Sequence, residues 1–200
     1  MKLEVKFIFI ALMIIASCTR NGMETLSPDD YVNFMEDESN GFRKKVVVGE
    51  NSYTFQMKSP EYIACKEHQV NPDEEIAARV NQLGSTIWFN IYLSSTKGNE
   101  SLLKKGVSGM DEYNSRLSYF LNTANSQFRC INDGAQMENV GYLFENNYGV
   151  TPYDVIIIGF KVTHPDKGIV LEYVDGLFND GIIKVKIDHN KLSALPKVST

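Results

Sequence analysis

Asp154-Val-Ile-Ile-Ile-Gly-Phe-Lys-Val162 is the most apolar run downstream of residue 18, and the fold class turns on how it is read. Its length and its β-branched residues indicate a strand and not a helix. Uniform apolarity, without alternation, predicts a central strand covered on both faces. On its downstream side, His164-Pro165-Asp166-Lys167-Gly168 reads as a turn into a strand over 169–174. Asp180-Gly181 then predicts a tight hairpin into 182–187, where Lys184 and Lys186 face water opposite Ile183 and Val185. On its upstream side, 128–131 and 140–144 read as strands. The stretch 86–93 alternates, with Ile87, Phe89, Ile91 and Leu93 opposing Trp88, Asn90 and Tyr92.

Helical signals come earlier in the chain. Ser27-Pro28-Asp29-Asp30 reads as an N-cap, a proline in the first turn and acids on the positive helix end. Ser59-Pro60-Glu61 and Asn71-Pro72-Asp73-Glu74 repeat the pattern. Residues 43–58 read as a β-hairpin turning at Gly49-Glu50-Asn51, with Tyr53, Phe55 and Met57 on the buried face. Ser108 with Asp111 resembles a capping box for a helix carrying Tyr113, Leu117 and Phe120 on one face. Helices early and strands late, joined by turns, predict a single α+β domain with a largely antiparallel sheet. The helices are expected to concentrate in the N-terminal half.

The first eighteen residues carry an address. Lys2 and Lys6 precede the apolar run Phe7–Ile15, and Ile15-Ala16-Ser17-Cys18 closes it. That is the layout of an export signal, and it is too short for a span of about 20 apolar residues. The cysteine after two small residues resembles the lipobox of bacterial lipoproteins. On this reading residues 1–17 are a signal peptide, 18–26 the lipidated Cys18 and a tether, and 27–200 the domain. A cut ahead of an unlipidated cysteine is the alternative. Ile15-Ala16-Ser17-Cys18, together with 26–31 (LSPDDY), 38–41 (ESNG) and 62–67 (YIACKE), resembles uncharacterised lipoproteins of Bacteroidota. The resemblance implies attachment to a lipid bilayer through acylated Cys18. It implies no activity, cofactor or catalytic residue. Thr19, and not aspartate, after Cys18 points to the outer membrane of a Gram-negative envelope.

Composition narrows the partners. The net charge is −5, and no Lys/Arg cluster is interleaved with aromatics, so nucleic acid is not expected. An export route allows a disulfide between Cys65 and Cys130; two separate buried thiols are the alternative. Catalytic patterns are sparse. His68, His164 and His189 form no HxH, HExxH or CxxC arrangement, and no metal or cofactor is expected. His68 could share a helical face with Cys65, the inventory of a thiol nucleophile. Asp73-Glu74-Glu75 reads as helix-dipole acids, and Asp175, Asn179 and Asp180 as hairpin punctuation. Trp88 and Tyr92 share the face opposite the core-directed side chains. Left uncovered, that face suits a ligand; covered by a helix, it is packing. The leading expectation is a non-enzymatic, membrane-anchored module that binds or assembles with a protein or glycan. The alternative is an envelope hydrolase or thiol enzyme.

Overall fold

The computed structural model describes residues 24–199; the expected export signal and Cys18 lie outside the described residues. Two of the three predicted helix starts form as read. α1 (Pro28–Glu36) is capped by Ser27, whose Oγ accepts from the Asp30 amide at 3.2 Å. α2 (Pro60–Val70) is capped in the same way by Ser59, with the Tyr62 amide at 3.2 Å. The third differs. Asn71 ends α2, and α3 (Ile76–Leu83) starts behind Glu75 with no side-chain cap. Asp73, Glu74 and Glu75 therefore precede the helix and do not fill its first turn. α4 (Met110–Asn122) also departs from expectation. Gly109 is its N-cap, and Ser108 donates from both its amide and its hydroxyl to Glu112, not to Asp111. With α5 (His189–Ser193) near the C-terminus, helices are less concentrated in the N-terminal half than the sequence signals imply.

Antiparallel pairing dominates the strands. Ahead of α1 lies β1 (Thr25–Leu26). β2 (Arg43–Val48) and β3 (Asn51–Lys58) form the predicted hairpin, and β4 (Thr86–Ser95) pairs with β3. β5 (Phe128–Asn132) and β6 (Ala135–Gln136) join through Asp133-Gly134, both at positive φ, as a two-residue turn requires. β7 (Glu138–Glu145), β8 (Tyr153–Lys161), β9 (Ile169–Val174), β10 (Ile182–Ile187) and β11 (Lys197–Val198) complete the set. One sheet runs β2-β3-β4-β8-β7 and a second β10-β9-β5-β6. The parallel pair β1-β11 stands apart. The apolar run at 154–162 is thus interior, but the central position belongs to β4.

The two sheets face each other. Tyr53 of the first meets Tyr173 of the second with ring centroids 6.1 Å apart, and Tyr142 meets Phe128 at 6.5 Å. Between them Phe55, Phe89, Ile91, Ile156, Ile158 and Phe160 join Leu171, Ile183 and Val185 in one continuous buried cluster. α4 plugs one side, with Phe120 stacked on Phe144 at 4.8 Å. Cys65 lies in α2 and Cys130 in β5; both thiols are free and buried. The disulfide is not formed, and the alternative of two small buried hydrophobes describes them. The connection from β9 to β10 also differs from a tight hairpin: it spans residues 175–181. Asp175 organises it, accepting from the amides of Leu177, Phe178 and Asp180 at 2.8–3.1 Å.

Candidate ligand-binding face

One face of the five-stranded sheet is consumed by the core, and the other carries the chemistry. Because side chains alternate along a strand, Trp88, Asn90 and Tyr92 of β4 point away from the second sheet. Trp88 is half-buried. Its indole lies across Gly159 of β8 and Gly141 of β7: a Cβ at either glycine would come within 2.7–2.8 Å of the ring. Neither glycine has a positive φ, so backbone freedom does not explain them. They are the space the ring occupies. Tyr92 stands about 13 Å further along β4 at ordinary strand rise. Tyr153 meets it edge-on at 5.2 Å, and the Arg43 guanidinium sits 5.3 Å from its ring centroid.

Polar groups fill the space between the aromatics. Register sets Lys58 opposite Trp88, and Gln56 opposite Asn90. Gln56 Nε2 donates to the carbonyls of Met35 and Met57 at 2.9 and 3.0 Å, which fixes the amide's orientation. Its Oε1 and the adjacent Asn90 Oδ1 are buried, with no hydrogen-bond partner among the described residues. Two such orphan acceptors side by side each carry a desolvation cost of about 1–3 kcal/mol. The Lys58 ammonium has no ion-pair partner among the described residues. Burial pulls it below the ordinary lysine range, opposed only in part by the charges of Glu145 and Glu36. At the edge, Tyr62 Oη donates to Glu36 at 2.6 Å and Lys66 pairs with the same carboxylate at 3.0 Å. Burial works to raise Glu36, but the hydrogen bonds from Tyr62 and Lys66 outweigh it and hold the carboxyl below its usual range.

The other sequence candidates are not assembled into a site. Burial pushes Cys65 up to about 11 and Cys130 up to about 12, the opposite of an activated thiol. His68 Nδ1 donates to the Glu74 carbonyl at 3.1 Å and His189 Nδ1 to that of Asp166 at 2.8 Å. Asn132 accepts from the His164 amide at 3.0 Å. Asp180 Oδ2 accepts from Asn51 at 2.7 Å and Tyr53 at 2.6 Å, tying the 175–181 loop to β3. No group of three or more His, Cys, Asp or Glu side chains among the described residues has the geometry to hold a metal. No described helix is long and apolar enough to cross a membrane.

Trp88 and Tyr92 were legible as a pair from alternation alone. Gln56 and Lys58 were not, because they occupy positions of the hairpin that read as wet. The isolated Gly159 inside an apolar strand was the available signal, since such a glycine marks close approach by another group. No family model and no curated protein matches the chain. Among solved structures, it is similar to a protein of unknown function from Burkholderia pseudomallei K96243. The identity is 10% and the TM-score 0.36, over 86% of this chain and 94% of that one.

Proposed function

We propose that this protein is a lipoprotein of the Gram-negative outer membrane, held by acylated Cys18, that binds a glycan on the Trp88 face. The observation that carries this reading is the half-buried Trp88 indole laid on two glycines beside Lys58 and the orphan amide oxygens of Gln56 and Asn90. A pyranose ring presents C–H groups on one face and hydroxyls at its rim. The first pack on an aromatic plane, and the second would supply the donors that the Gln56 and Asn90 oxygens lack, which requires the side chains sealing those oxygens to move aside on binding. Trp88 and Tyr92, about 13 Å apart, would span two to three sugar units. A protein partner is the second reading, and the half-exposed Leu143 in the same cross-strand row as Asn90 and Ile157 favours it. A thiol enzyme is disfavoured by two buried thiols held protonated at neutral pH.

The test is co-sedimentation with insoluble cell-wall glycan. The protein should pellet with the glycan, and Trp88→Ala should reduce retention at least tenfold with cooperative unfolding preserved above the assay temperature. Equal retention of the variant would overturn the reading. The anchor is tested separately: Cys18→Ser should move the protein out of the membrane fraction.

A further inference from the structure

Away from the Trp88 face, a cleft of about 740 Å³ opens between α3 and the C-terminal segment. Its size falls within the range of small-molecule sites, about 300–1,000 Å³. The floor is buried and mostly apolar: Met57, Ile76, Ile87 and Leu192, with the paired hydroxyls of Tyr31 and Ser59 at 3.3 Å. α3 forms one wall with Ile76, Ala77, Val80 and Asn81. This helix is fastened to α2 and not to the sheets. Arg79 donates to both oxygens of Glu67 at 2.5 and 3.0 Å, and α3 makes its principal contacts with α2. Its apolar side, Ile76 and Val80, meets the edge of the core and lines the cleft there.

We propose that this cleft holds the acyl chain of a single-chain amphiphile with a zwitterionic head, of the lysophosphatidylethanolamine class. An apolar floor suits an alkyl chain, which asks for no hydrogen bonds. The lining charges are Glu61 and Asp166 against Lys197, so both signs are present and acids predominate. A head that carries an ammonium beside its phosphate offers a cation to the two acids and an anion to Lys197, whereas a bare fatty-acid carboxylate offers only the anion. Position agrees with this occupant. Lys197 and Val198 line the cleft and pair with Thr25 and Leu26. If Cys18 is acylated, about seven extended residues, at most about 25 Å, separate that wall from the bilayer. The argument from position rests on the anchor; the argument from the lining does not.

The experiment is calorimetric titration of the purified protein with lysophosphatidylethanolamine below its micellar concentration, alongside a fatty acid of equal chain length. Saturable binding at one site is expected, with the fatty acid at least tenfold weaker. The double variant Ala77→Phe/Asn81→Phe, at two exposed positions on the cleft wall, should lose at least tenfold with the melting temperature retained. A second readout is a photoactivatable acyl chain, whose crosslinks should map to residues 76–85 and 192–198. No saturable binding, an unaffected double variant or crosslinks elsewhere would overturn the proposal. Because the titration is done without membranes, its failure is separable from failure of the anchor reading.

Discussion

The two faces of β4 are built from neighbouring residues to opposite specifications. On the inner face Ile87, Phe89, Ile91 and Leu93 are all at most 5% exposed and belong to the buried apolar cluster. On the outer face Trp88 and Tyr92 flank Asn90, whose oxygen is buried without a partner among the described residues, beside a second such oxygen on Gln56 and a desolvated Lys58. The first arrangement maximises burial. The second tolerates costs that an apolar substitution would remove, which is the mark of a surface kept for something other than stability.

The sharpest way to break this comparison is to truncate each face in turn. Phe89→Ala should destabilise by about 3–5 kcal/mol, read from chemical denaturation, because it empties a closed core. A loss below about 1 kcal/mol would mean that the inner face is not the structural one. Next in size is Gly159→Ala. In a strand interior, alanine ordinarily gains about 0.5–1 kcal/mol over glycine. Here its Cβ would strike the indole at 2.8 Å, so the expected sign is reversed, a loss of about 1–3 kcal/mol. Trp88 is the single tryptophan of the chain, so its emission should shift to the red as the ring is displaced. Stabilisation with unchanged emission would remove the platform from the account.

Smaller effects sharpen the contrast. Asn90→Leu removes an orphan oxygen and should leave stability unchanged or raise it by about 1 kcal/mol, while weakening glycan retention. The buried thiols define a pH test. Their folded pKa values are raised, so their contribution to stability is complete below the unfolded thiol value of about 8.5 and is lost as pH rises towards 11–12. Burial likewise raises Tyr31 and Tyr173, which extends the loss above about pH 10. Stability should fall from about pH 8.5 upward, less steeply in Cys65→Ala/Cys130→Ala. Reductant should leave the melting temperature unchanged, and both thiols should label slowly until the protein is denatured.

Much of the fold was readable from local chemistry. Ser27 and Ser59 announce α1 and α2 because a cap needs only residues within one turn. The alternation at 86–93 assigns the faces of β4 because one face is core. What escaped depends on distant pairing. Nothing near 154–162 says that β4, not β8, takes the centre of the sheet. Asn71 reads as a helix start but serves as the end of α2, since the same residue type satisfies either terminus. Asp180-Gly181 promises a tight hairpin, yet Asp175 collects three amides across a seven-residue loop. Of the candidate face, alternation placed Trp88, Asn90 and Tyr92 together but showed nothing of their neighbours. Lys58, Gln56 and Asn90 gain their meaning from register across three strands, which no single segment contains.

The most direct measurement of the central claim is the emission of Trp88 during titration with soluble cell-wall oligosaccharides. The account predicts a saturable change in the native protein that is lost in Lys58→Met and Asn90→Leu, with cooperative unfolding preserved in both. Emission that stays constant throughout the titration, or responds equally in the variants, would contradict it.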